Sequence, residues 1–195
     1  MQGTLSVYKW VIRISLLVAM MLSISLRAEA DKPQGERQDV WRDWPVVGQA
    51  TLSWLFWDVY HSQLRSPDGQ YQKQPGQEVA THPLALEIHY LRTIRREQLL
   101  EATEKQWQKL GYSAANIESW MAQLSHLFPT VEKDQRLVYL SDGQHGQLWY
   151  FPTPTDKHVR GEVIDPQMNE AFLAIWLSPR SDYPRLRNQL VGKRG

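Results

Sequence analysis

The 195 residues carry 22 Lys and Arg against 21 Asp and Glu, and no cysteine. That balance lacks the concentrated basic surface nucleic-acid binding needs, and without thiols there are no disulfides, thiolate metal sites or lipid-modified cysteine of a bacterial lipoprotein. The length is that of one domain, large enough to bury a core without covalent staples.

The first element reads as an export signal. Lys9 and Arg13 precede a charge-free apolar stretch from Ile14 to Leu26, and Ala28-Glu29-Ala30 follows. A charged start, a short apolar segment and a small-x-small site are the three parts of a secretory signal peptide. The apolar stretch is 13 residues, whereas a membrane-spanning helix needs roughly 20. Residues 1–30 are therefore expected to be cleaved after Ala30, leaving a mature chain of about 165 residues in the periplasm of a Gram-negative bacterium, with no membrane span. Removing that segment's three cations and one anion turns the formal +1 into −1. Eight of the nine tryptophans remain, and aromatic side chains in such number either fill a core or line a ligand pocket.

Residues 31–45 are polar until Trp41 and Trp44 and read as a lead-in to a domain over 46–191. Val46 to Tyr60 reads as one strand, apolar on both faces and therefore central. Ser66-Pro67-Asp68-Gly69 has the composition of a tight turn, and Gln70 to Thr81 is loop. Leu84 to Leu91 alternates, with Leu84, Leu86, Ile88 and Tyr90 on one face and Glu87 and His89 on the other. Thr93 is placed to cap the next helix, where Leu99, Leu100, Thr103, Trp107 and Leu110 recur at helical spacing before a stop at Gly111. A second helix starts near Ser113, carries Ile117, Trp120, Met121, Leu124, Leu127 and Phe128 inward, and ends at Pro129. The short link predicts a helical hairpin.

Arg136–Ser141 and Gln147–Phe151 flank the loop Asp142-Gly143-Gln144-His145-Gly146 as a β-hairpin, and a further strand spans His158 to Ile164. Asp165-Pro166 caps a helix that is apolar nearly all round (Phe172, Leu173, Ile175, Trp176, Leu177), so it should be sandwiched. A short helix around Tyr183–Leu190 closes the chain. The class is α+β with a mostly antiparallel sheet.

Catalytic motifs are nearly absent: no nucleophile elbow, zincin motif, phosphate loop or dinucleotide fingerprint occurs, and no cofactor is implied. Glu87 and His89 alone are two metal ligands without a third. Asp58, between Trp57 and Val59, is either a desolvated acid or base, or a hydrated carboxylate at a strand end. Arg92, Arg95 and Arg96 cluster before the first helix. Arg95 and Arg96 lie near its positive end, where an anionic headgroup is favoured, or simply pair with Glu97 and Glu101.

The run Gly48-x-x-x-Leu52 … Phe56-Trp57-Asp58-Val59-Tyr60-x-x-x-Leu64 resembles the first strand pair of the chalcone isomerase-like family. Trp107-Gln108-Lys109-Leu110-Gly111 is similar to the end of that family's long helix, and Ala171-Phe172-Leu173-Ala174-Ile175-Trp176-Leu177-Ser178 with Pro184 and Leu186 resembles its C-terminal signature. More specifically, the chain resembles the family's exported bacterial branch. The resemblance implies an open-faced β-sandwich, with helices on a large antiparallel sheet and a ligand cleft between the layers. The family includes plant isomerases, fatty-acid-binding proteins and non-catalytic relatives. Carried over by residue, the isomerases' strand arginine falls at Leu52 and their strand threonine at Leu55. Their helix tyrosine falls near Arg95, their helix asparagine near Ala102, and a C-terminal hydroxyl residue at Asn169. Leucine and alanine donate no hydrogen bond to an oxyanion, and losing one such donor typically costs roughly 100- to 1000-fold. The resemblance thus implies no catalytic residue and an amphipathic small molecule such as a fatty acid as partner. Leu52, Leu55, Trp57, Ala102 and Asn169 would line the cleft, with Arg95 as headgroup ligand. Two alternatives stay open: an isomerase with a site rebuilt around Asp58 or Arg95, and a partner protein whose cleft is packed shut.

Overall fold

The computed structural model of the chain describes residues 40–54 and 57–193. The expected signal peptide, the lead-in before residue 40 and Leu55 lie outside the described residues. Among the described residues six strands pair in sequence order, every neighbour antiparallel: β1 (Val46–Trp54), β2 (Trp57–Arg65), β3 (Leu84–Tyr90), β4 (Arg136–Ser141), β5 (Gly146–Phe151) and β6 (His158–Val163). Helices α1 (Arg96–Leu110) and α2 (Ala114–Leu127) lie between β3 and β4 in sequence; α3 (Pro166–Leu177) and α4 (Pro184–Leu190) follow β6.

Strand alternation divides the apolar residues between two faces. Leu84, Leu86, Ile88 and Tyr90 of β3 join Leu137, Tyr139 and Leu148 in a core that also takes buried apolar residues from all four helices. Ala85, Val138, Trp149 and Phe151 point the other way, where Trp41 covers them from a short 3-10 turn at Val40–Asp43. Trp41 meets Phe151 edge-on at 6.3 Å. The class is therefore α+β, an open antiparallel sheet with its helices on one face, which is the layout the resemblance implied.

Local signals set the helix ends. Ser113 accepts the Asn116 N–H at 3.2 Å, and Asp165 accepts that of Gln167 at 2.9 Å, both as N-caps. Gly111 closes α1 at φ 84, the left-handed conformation that costs glycine nothing. α3 is buried on nearly every side, as a helix without a polar face must be.

Two expectations are corrected. Val46–Tyr60 is not one central strand: Trp54 pairs with Trp57, so the chain reverses between them and β1 is an edge strand. The apolar pattern on both faces came from adding two strands across a reversal that contains no Gly, Pro, Asn or Asp to mark it. Thr93 does not cap α1 either. Ile94 is held in a bridge to Val131, which delays the helix to Arg95. There Gln98 Oε1 accepts the Arg95 N–H at 2.9 Å, and Thr130 Oγ1 accepts the Arg96 N–H at 3.2 Å.

Candidate functional site

Between the sheet and the helices lies a cavity of about 250 Å³. Leu86, Ile88 and Tyr90 of β3, with Leu137, Tyr139 and Leu148, form its floor, while Phe172, Ile175 and Trp176 of α3 close one side. On α1, Gln98, Ala102 and Gln106 recur one turn apart along the rim with Leu99 and Thr103 inside them; Leu52 and Val59 of the β1–β2 hairpin also contribute. None of the lining side chains carries a charge.

Its polar groups are mostly committed. Thr103 Oγ1 donates to Leu99 O at 2.9 Å, the helix-internal bond that lets a hydroxyl sit in an apolar wall. Tyr139 donates to Asn169 Oδ1 at 2.9 Å, and Asn169 Nδ2 donates to Ser141 Oγ at 3.0 Å. Trp176 Nε1 donates to the Tyr60 hydroxyl oxygen at 2.9 Å. Burial pushes the Tyr60, Tyr90 and Tyr139 phenols well above their usual range, because the phenolate would be desolvated. They remain neutral hydroxyls near neutral pH.

The residues expected from the sequence divide. Leu52 and Ala102 both line the cavity. Asn169 is buried behind Tyr139 and reaches the cavity only through that hydroxyl. Trp57 lies outside the lining and is 68% exposed, because it opens β2 at the hairpin end. Arg95 is exposed at the α1 N-cap between the lining residues Ile94 and Gln98, and is not itself part of the wall. Asp58 is exposed and accepts the Ser53 hydroxyl at 2.6 Å across the hairpin, a strand-end carboxylate. Glu87 pairs with Arg136 at 3.0 Å, and His89 approaches Asp134 at 3.7 Å. Among the described residues no group of three or more His, Cys, Asp or Glu is arranged to hold a metal ion, and no helix is long and apolar enough to cross a membrane.

Tyr60, Tyr90 and Trp176 were not picked out from the sequence, although a signal existed. The β3 alternation put Tyr90 on the face of Leu86 and Ile88, and Tyr60 occupies the matching place opposite it on β2.

No family model matches the chain. It is similar to an uncharacterised protein of Haemophilus influenzae, 28% identical over 150 residues that cover 77% of this chain and 69% of the other. A solved structure, a fatty-acid binding protein of Arabidopsis thaliana, aligns with 76% of this chain and 89% of its own at a TM-score of 0.49 and 10% identity. A likeness at that level carries no conclusion about the ligand.

Proposed function

We propose that the chain is an exported periplasmic protein without catalytic activity, of the chalcone isomerase-like kind, that holds a medium-length amphipathic molecule between sheet and helices. The observation that carries this reading is the cavity itself: about 250 Å³, enclosed by aliphatic and aromatic side chains, with no charged group in its wall. A cavity of about 150 Å³ takes a benzene ring, so this one suits a ligand with roughly ten non-hydrogen atoms in its apolar part. Burying about eight methylene groups there contributes roughly 6 kcal/mol before the cost of immobilisation. General acid–base catalysis needs a group whose pKa lies near the working pH. Its polar wall offers only phenols, of which burial keeps Tyr60, Tyr90 and Tyr139 neutral, together with amides, an indole and a threonine. The charge-framed apolar stretch ahead of Ala30 supports export.

Native mass spectrometry of the full precursor expressed in a Gram-negative host and recovered from the periplasm tests both parts. The expected result is a chain beginning at Asp31 that carries one small apolar molecule, released by solvent extraction. A clean apo mass with no uptake of offered octane, 2-octanone or octanoate would overturn the binding reading. Retention of residues 1–30 would overturn the export reading.

A further inference from the structure

Among the phenols that line the cavity, Tyr139 donates to Asn169, whereas the hydroxyl protons of Tyr60, Tyr90 and the half-buried Tyr183 have no protein acceptor among the described residues. Tyr60 and Tyr90 are register partners on β2 and β3, so their side chains leave the same face of the sheet side by side. Their rings meet edge-on at 6.1 Å. The Tyr60 oxygen accepts the Trp176 indole N–H, which leaves its own proton without an acceptor. Tyr90 is 5% exposed, and its hydroxyl meets no hydrogen-bonding partner among the described residues. The single buried side-chain nitrogen or oxygen there without a partner is Arg65 Nε. The unpartnered Tyr90 hydroxyl is therefore reached by solvent, and the space open to it is the cavity it lines.

We infer that the Tyr60–Tyr90 pair is the polar anchor of this cavity and selects a ligand with a neutral carbonyl oxygen, such as a ketone, ester or amide, rather than a carboxylate. A carbonyl oxygen has two lone pairs, and two adjacent phenols supply two O–H donors for them. The indole bond into Tyr60 polarises that hydroxyl and makes it the better donor. An ionised carboxylate in the same place would be buried without a cation, since Arg95 lies outside the wall, and an unpaired buried charge is disfavoured far more than a hydrogen-bonded neutral group. This inference rests on the cavity being a ligand site, as proposed above.

The test uses the mature protein with three probes of nearly equal length, octane, 2-octanone and octanoate at pH 8, followed by calorimetry and by intrinsic tryptophan fluorescence. Tyr90→Phe removes one hydroxyl that holds nothing else. The expected result is at least a tenfold loss of 2-octanone affinity in Tyr90→Phe with octane affinity unchanged, and octanoate at least tenfold weaker than 2-octanone in the parent. Tyr60→Phe, which also strands the Trp176 indole, should lose 2-octanone similarly once its folded fraction is checked by circular dichroism. Octane and 2-octanone affected equally by Tyr90→Phe would overturn the anchor while leaving the binding reading intact. Octanoate matching or exceeding 2-octanone would overturn the ligand class. Failure of all three probes to bind the parent would sink the cavity reading itself, and the anchor with it.

Discussion

Asn169 shows how much one buried amide can organise. It is 2% exposed, accepts from the Tyr139 hydroxyl and donates to Ser141, and so ties α3 to β4. Gly146, opposite on β5, makes room for this arrangement: a Cβ there would fall 1.8 Å from the Tyr139 hydroxyl oxygen. Asn169→Leu keeps the branched shape and removes both hydrogen bonds, leaving the Tyr139 phenol buried without its acceptor, while Ser141 Oγ keeps the Gly143 N–H. An unsatisfied buried group costs about 1–3 kcal/mol and an ordinary lost hydrogen bond about 1, so stability should fall by roughly 2–4 kcal/mol. Urea unfolding should show this as a lower midpoint with an unchanged slope; an unchanged midpoint would mean that water or another side chain replaces the amide. Release of Tyr139 should also weaken ligand uptake, because its ring forms part of the cavity floor. The family resemblance singled out this position from the sequence as a lining residue, whereas its contacts place it behind the wall as the support of one.

The elements are held by caps and by one polar clamp. Asp165 serves two neighbours at once: one carboxylate oxygen caps α3 through the Gln167 N–H, and the other accepts the Trp120 indole of α2 at 3.0 Å. Asp165→Ala loses both, so the expected cost is about 2 kcal/mol, more than a cap alone. A thermal melt checks it, and Asp165→Asn should recover only part of the loss, because its one oxygen can replace one acceptor while its amide nitrogen cannot accept. Glu78 joins the loop after β2 to the end of α3, accepting from Ser178 and from Arg180 Nε, while Arg180 also donates to Leu110 O at the end of α1 at 2.6 Å. Burial pushes the Glu78 carboxyl up, but the bonds from Ser178 and Arg180 outweigh it and hold the group below the usual carboxylate range. Folding therefore favours the ionised form. Its contribution is complete above the ordinary carboxylate range and is lost as pH falls through the lowered folded value. Melts across pH should show Glu78→Gln less stable than the parent near neutrality, with the gap closing in acid; a constant gap would mean that charge is not what holds the clamp. The helices, the Asp142–Gly146 hairpin and the Asp165 cap were legible in the sequence because each carries its own local signal. The β1–β2 reversal and the start of α1 were not. The first lacks a turn residue, and the second depends on Ile94 reaching Val131, which local pattern does not report. The Glu78 clamp spans a hundred positions and leaves no periodic trace.

At the scale of the whole molecule, one layer of helices covers one sheet face, and the cavity is where the two layers fail to meet completely. Which residues border that gap follows from how α1 and α3 sit across the sheet, so Tyr60, Tyr90 and Trp176 emerged only in three dimensions, while Leu52 and Ala102 were reached by family position. Filling the gap couples binding to folding. A ligand that occupies the folded state alone at a hundred times its Kd stabilises it by about 2.7 kcal/mol, which for a domain of this size raises Tm by roughly 5–10 °C. Ala102 offers a way to separate the cavity from the fold. It is exposed on α1, lines the rim between Gln98 and Gln106, and makes no hydrogen bond with its side chain. Ala102→Trp places a ring at this rim with little demand on the core, so the ligand-free Tm should change by no more than about 2 °C, as for an ordinary surface substitution. If the ligand enters between α1 and the β1–β2 hairpin, stopped-flow mixing with 2-octanone should show uptake at least tenfold slower, and the ligand-induced rise in Tm should shrink or vanish. An unchanged rate in a variant that melts like the parent would move the entrance to another side of the cavity, away from the helix whose register now defines the rim.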